Sequence, residues 1–78
     1  MKDLIDYIAR SLVDDPTQVH VDQSGRGASV FFRLEVAKED MGRVIGKGGR
    51  VANAIRILLR VAAAREGKRV SLDIIDPR

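Results

Sequence analysis

Cysteine and tryptophan are absent from the 78 residues, and histidine occurs once, at His20. Without cysteine there are no disulfides, thiolate nucleophiles or cysteine-rich zinc sites, and a lone histidine cannot build a metal site. No metal or other cofactor is expected. Unbroken apolar stretches run only a few residues, which excludes a membrane-spanning helix, and Met1-Lys2-Asp3 places an acid where a secretion signal needs a basic and then an apolar region. The expectation is a cytoplasmic chain with no membrane partner. What is present, 45% hydrophobic and 32% charged side chains in so short a chain, describes one small domain spanning residues 1–78 with a single core. Its stability must come from packing, with association between chains as a further source.

The net charge of +3 hides a division along the chain. Residues 1–42 carry five basic and eight acidic side chains, whereas residues 43–69 carry eight basic ones and only Glu66 as an acid. A compact basic segment is the footprint that polyanions leave through phosphate pairing and counterion release, and it is also what a solvated basic helix looks like. Charge alone does not separate the two.

Periodicity orders the chain. Leu4, Ile5, Ile8 and Leu12 make an amphipathic helix over Asp3 to Val13, stopped by Asp14-Asp15-Pro16 because the residue before proline leaves the α region. From Thr17 the period becomes two: Val19 and Val21, then Val30, Phe32, Leu34 and Val36, read as two strands joined through Ser24-Gly25-Arg26-Gly27 as the turn. Glu39 and Asp40 stand where acids favour a helix start, and Met41 to Ile45 makes a short helix. Gly46-Lys47-Gly48-Gly49 ends it, and a long helix follows from Arg50 to about Arg65, with Gly67 as its C-terminal cap. Val70, Leu72 and Ile74 form a last strand, ended by Pro77.

The glycine loop carries the chemistry. Two helices joined by four residues, three of them glycine, expose backbone N–H groups at the start of the second helix with no Cβ to keep a ligand away. Such a place suits a phosphate. Arg43, Lys47 and Arg50 surround it, and no acid lies between Asp40 and Glu66. A tight helix-to-helix turn is the alternative use of the glycines. Nucleotide-cofactor loops fail on spacing. The G-x-x-x-x-G-K-[ST] loop needs glycine where Met41 stands and a hydroxyl where Gly48 stands, and G-x-G-x-x-G needs glycine where Val51 stands. What remains is a grip on a sugar-phosphate backbone.

Val44-Ile45-Gly46-Lys47-Gly48-Gly49 resembles the hydrophobic-Ile-Gly-x-x-Gly signature of KH domains, whose G-x-x-G loop clamps the backbone of about four nucleotides. The loop also lies between two helices, opens onto a basic helix and follows a hairpin. Because 29 residues follow Gly49, there is room downstream for one helix and one strand, which resembles the type II order α-β-β-α-α-β and not type I. A KH domain of this length is similar to the KhpA family of small bacterial RNA-binding proteins. The resemblance implies an α+β fold in which three helices cover a three-stranded mixed sheet. Gly46, Lys47, Gly48 and Gly49 would clamp the backbone, Arg43 and Arg50 would add charge, and Val44 and Ile45, with apolar residues of the following helix and the second strand, would form a shallow groove for bases. Gly48 departs by replacing a second basic side chain and adding conformational freedom to be lost on binding. Aromatics at 4% argue against base stacking on rings as a compensation, which fits a KH groove and not an RRM or OB surface.

No enzyme is expected. His20 lies on the polar face of a strand, the acid pairs Asp14/Asp15 and Glu39/Asp40 read as helix-end residues, and Ser11, Thr17, Ser24, Ser29 and Ser71 have no histidine at a motif spacing. Phe31 points away from the Phe32 face, as a solitary exposed ring or part of a contact patch. On a helical wheel, Val51, Ile55, Leu58 and Ala62 make a core stripe with Leu59 and Ala63 on one flank. Ile57, Val61 and Ala64 lie on the other, and Asn53, Arg56 and Arg60 form the strip opposite the core. This is more apolar circumference than packing on one sheet uses, so either the N-terminal helix covers one flank or Ile57 and Val61 are candidates for a contact between chains. The reading is a non-catalytic single-stranded RNA binder, a post-transcriptional regulator or RNA chaperone, with no small-molecule substrate. The rival is a protein-interaction module that uses the same scaffold to dimerise. A third reading, binding of double-stranded nucleic acid by charge alone, lacks the long basic surface it needs. The resemblance further implies a homodimer or a pairing with a larger KhpB-type KH protein, and roles touching cell shape and division.

Overall fold

The computed structural model describes residues 1–75. Helix α1 (Lys2–Leu12) buries Ile5 and Ala9 and ends where Val13 turns extended, ahead of a short 3-10 turn, Pro16–Gln18, in which the Asp15 carboxylate accepts from the Thr17 N–H. Strands β1 (His20–Arg26) and β2 (Ser29–Glu35) pair antiparallel. A 3-10 turn, Lys38–Asp40, leads into α2 (Met41–Ile45), and the glycine loop separates α2 from α3 (Arg50–Arg65). Strand β3 (Arg69–Ile75) returns parallel to β2, giving a mixed sheet of order β1-β2-β3. The order α-β-β-α-α-β is the type II one. Pro77, expected to end the last strand, lies outside the described residues.

The strand period decides the layers. Val30, Phe32 and Leu34 are buried while Phe31 and Arg33 between them are exposed, so all the helices pack on one face of the sheet and the other is open. The core joins Ile5 and Ala9 of α1, Val30, Phe32 and Leu34 of β2, Val44 of α2, Ile55 and Leu59 of α3 and Leu72 of β3. Among the described residues no helix is long and apolar enough to cross a membrane.

Two expectations are corrected here. The hairpin turn is not Ser24-Gly25-Arg26-Gly27, because pairing continues to Arg26 opposite Ser29 and only Gly27 and Ala28 form the loop. Gly27, at φ +59°, supplies the left-handed first position that a two-residue II′ hairpin uses. Gly25 serves a close approach instead, since a Cβ there would run into the Ser29 carbonyl oxygen.

On α3, the buried stripe is Ala52, Ile55, Leu59 and Ala63. Leu58, placed in the core by the wheel, is half exposed, and Asn53, Arg56 and Arg60 lie beside the core rather than opposite it. The opposite face is that of Ile57 and Val61. Arg56 explains the rotation: its aliphatic stem is half-buried while its Nε donates to the Leu72 carbonyl at 3.2 Å, so a charged residue occupies the border with β3. The C-terminus of α3 closes as expected of Gly67. The Lys68 N–H bonds to the Ala63 carbonyl and the Gly67 N–H to that of Ala64, the paired bonds of a Schellman motif, with Gly67 at φ +68°.

Candidate nucleic-acid interface

The loop is built by three glycines with positive φ: Gly46 at +77°, Gly48 at +66° and Gly49 at +78°. They reverse the chain within one 3-10 turn, Lys47–Gly49, held by the Gly49 N–H on the Gly46 carbonyl at 3.1 Å. Gly46 has a second reason to lack a side chain. A Cβ there would lie 2.8 Å from the Val51 N and 2.5 Å from its Cγ2, inside van der Waals contact with the first turn of α3. At Gly48, by contrast, a Cβ would meet nothing within 4 Å, so the requirement is for the backbone angle alone. The extra freedom ascribed to Gly48 is therefore used to hold a left-handed conformation that other residues adopt at a cost.

The N–H groups of Lys47 and Gly48 have no backbone partner among the described residues, and no side chain caps α3. Lys47 and Arg50 flank this end exposed, and neither enters an ion pair among the described residues. The result is an exposed turn with backbone donors and two cations that are unpaired among the described residues, at the positive end of a 16-residue helix.

Arg43 stands differently. Its Nη2 donates to the Asp14 Oδ2 at 2.9 Å, and its Nε lies 3.5 Å from the Asp40 Oδ1. Sequence reasoning placed Asp40 among helix-end acids, yet no side chain caps α2, and Asp40 is 2% exposed. Its two carboxylate oxygens accept the backbone N–H groups of Asp14 and Asp15, at 3.1 and 3.2 Å. Asp40 thus ties the chain after α1 to the helix that carries the loop. The i, i+3 spacing of Asp40 and Arg43 is a signal the sequence holds, whereas the link to Asp14 spans 29 positions and has no local trace.

The groove is also placed differently from the expectation. Val44 is 0% exposed, so it supports the loop from beneath and offers no surface to a ligand, and Ile45 is half-buried. Strand β2 is central and its inward residues Val30, Phe32 and Leu34 are buried in the core, so they offer no surface to a groove beside α3. The depression runs instead between α3 and the edge strand β3, lined by Arg56, Leu59, Arg60, Val70, Ser71 and Leu72. Asn53, Arg56 and Arg60 recur at helical spacing, so the basic strip leads from the loop along α3 into this groove. Ile57 and Val61, 56% and 54% exposed, lie on the far face of the same helix.

Residues 2–74 match the family model described as "KhpA/KhpB, KH domain". The chain is 49% identical over 75 residues to the "RNA-binding protein KhpA" of Clostridium perfringens and 51% identical over 75 residues to that of Clostridium acetobutylicum, in each case covering 96% of this chain and all of the relative. A protein of the same name from Chlamydia trachomatis is 42% identical over 78 residues, the full length of both. Among solved structures, that of Era in complex with MgGDPNP and nucleotides 1506–1542 of 16S ribosomal RNA superposes with a TM-score of 0.54 at 22% identity, over 94% of this chain and 28% of that one. That likeness is one of fold. The loop geometry, the type II order and the full-length matches agree, and the chain belongs to the KhpA/KhpB KH-domain family.

Proposed function

We propose that this chain, acting over residues 1–78 as one KH domain of a non-enzymatic family, binds single-stranded RNA by gripping the sugar-phosphate backbone with the Gly46–Gly49 loop. The observation that carries the reading is the loop itself, a turn of positive-φ glycines between two helices with free N–H donors and the unpaired cations of Lys47 and Arg50. Backbone N–H groups and the α3 dipole receive the phosphates, and Lys47 and Arg50 add charge at close range. Arg43 orients the loop through Asp14 and Asp40, and meets a phosphate only by exchanging its exposed Asp14 partner. Bases lie in the α3–β3 groove over half-buried Val70, between the Arg56 and Arg60 side chains, with half-buried Ile45 near the loop. The names of the relatives, all RNA-binding proteins, support this reading, and a post-transcriptional regulator or RNA chaperone is the role that fits a non-catalytic binder of this size.

A second element of the reading rests on a different observation. Ile57, Leu58 and Val61 leave a row of large apolar side chains half exposed on α3, so we infer that the chain pairs through this face, with a second copy or with a KH domain of the larger KhpB type. Two loops in one particle then raise the effective concentration for a single strand.

The test of the loop is the double substitution Lys47→Asp with Gly48→Asp. Repulsion and Cβ bulk where phosphates must approach should lower affinity for a labelled single-stranded RNA at least about tenfold, a loss of about 1.4 kcal/mol. Because the loop is exposed, the melting temperature should fall only by what one left-handed aspartate costs, about 1 kcal/mol or roughly 4–8 °C. Unchanged affinity rules out the clamp.

A further inference from the structure

The open face of the sheet is a surface the loop mechanism does not use. Its residues form rows across the three strands: Arg26, Ser29 and Arg69 nearest the hairpin, then Ser24, Phe31 and Ser71, then Asp22, Arg33 and Asp73. Phe31, 50% exposed, is the one aromatic ring of this face, and both its cross-strand neighbours are serines too small to cover it. Arg26 and Arg69, two strand spacings or about 10 Å apart, enter no ion pair among the described residues. Two cations and no acid thus lie on the hairpin side of the ring, whereas on the other side Asp22 and Asp73 flank the single cation of Arg33.

This face is joined to the groove already described. The depression between α3 and β3 and the one beside Phe31, lined by Ser29, Phe31 and Arg69, share Val70 and Ser71 of the edge strand. A chain leaving the Arg56/Arg60 strip therefore needs to cross only β3 to reach the ring.

We propose that an RNA strand longer than the loop and groove accommodate continues over β3 at Val70–Ser71 and stacks one base on Phe31, with Arg69 and Arg26 holding the adjoining phosphate. The proposal rests on the RNA-binding reading above. Single-stranded RNA is the occupant that the surface fits, because a flat ring with hydroxyls on each side serves a base face of any sequence and a pair of free guanidiniums serves its phosphate. The row beyond Phe31 has two acids against the one cation of Arg33, while the hairpin row has two cations and no acid, so the strand approaches from the hairpin side and ends at the Phe31 row. One ring accepts one base, consistent with the scarcity of aromatics.

The experiment compares two fluorescein-labelled oligouridylates, of about five and about twelve nucleotides, the shorter filling little more than the loop. Phe31→Ala should leave binding of the short strand within about twofold and weaken the long one roughly tenfold, the stacking of one base. Arg26→Glu with Arg69→Glu should do the same. Phe31→Trp keeps a stacking ring and introduces the only indole of the chain, whose emission should be quenched by the long strand and not by the short. Equal affinity of wild type and Phe31→Ala for the long strand overturns the proposal and leaves the loop reading standing. Failure of the wild type to bind either strand overturns both. An emission change that follows protein concentration and ignores RNA would assign the face to a second copy of the chain, and overturns the proposal as well.

Discussion

Asp40 is the residue whose role departs most from what its neighbours in sequence imply. A carboxylate 2% exposed is retained only where its lone pairs are filled, and here two backbone N–H groups fill them, with the Arg43 guanidinium alongside. Asp40→Ala should therefore leave the Asp14 and Asp15 donors without acceptors and lower unfolding free energy by about 1–3 kcal/mol, read from the urea midpoint at unchanged slope. Asp40→Asn preserves shape but offers one carbonyl oxygen for two donors, so it should fall between wild type and alanine. If alanine is as stable as wild type, the buried link contributes nothing. Gly46 and Gly48 were both legible as loop glycines, but for different reasons that only coordinates separate. One avoids the Val51 backbone, and the other needs only its backbone angle.

The elements themselves were largely written in the periodicity. The limits of α3 and the alternation of β2 follow from Gly49, Gly67 and the Val30-Phe32-Leu34 pattern, local signals that survive any tertiary context. The facing of α3 was not legible. An apolar circumference interrupted by Arg56 admits several core directions, and the one observed puts the Arg56 Nε on the Leu72 carbonyl, a partner 16 positions away. The groove shared that fate, because its second wall is whichever strand ends at the edge, and sheet order is set by pairing rather than by any one strand's composition. The outcome leaves Ile57 and Val61 outside the core of the single chain. Ile57→Lys with Val61→Glu should accordingly keep the helical circular dichroism of wild type while converting a dimer to monomer in sedimentation equilibrium. A wild-type monomer at tens of micromolar would end the pairing idea.

For the molecule as a whole, charge is the property that sequence and structure share most directly. The basic excess of residues 43–69 becomes a path: Lys47 and Arg50 at the loop, Arg56 and Arg60 along α3, then Arg69 at the start of β3. Salt dependence should report how much of the path an RNA occupies. With single strands losing roughly 0.7 in the log slope per phosphate contact, a short RNA held by Lys47 and Arg50 should give a slope near −1.4. One that also meets Arg56 and Arg60 should give a slope near −2.8. A slope near zero for both would remove the basic segment from the binding surface. Arg43, already paired with Asp14 and Asp40, should contribute less than its position in the motif implies.

The register of β3 also governs the order in which the molecule assembles. Every β2–β3 pair, from Ser29 with Arg69 to Glu35 with Ile75, joins residues 40 positions apart, whereas the β1–β2 hairpin and the α2–α3 reversal close over a few residues. Contacts so distant in sequence carry the largest loop-closure cost and tend to form late. The loop should thus acquire its shape before the groove beside it, and a chain that has not yet docked β3 holds the glycine loop without the α3–β3 groove. Leu72→Ala, which empties the core contact of β3, should raise the unfolding rate steeply while leaving the folding rate nearly unchanged in stopped-flow chevrons. A folding rate that falls by as much as the unfolding rate rises would place β3 in the nucleus, and the α3–β3 groove would then be present from the first committed step of folding.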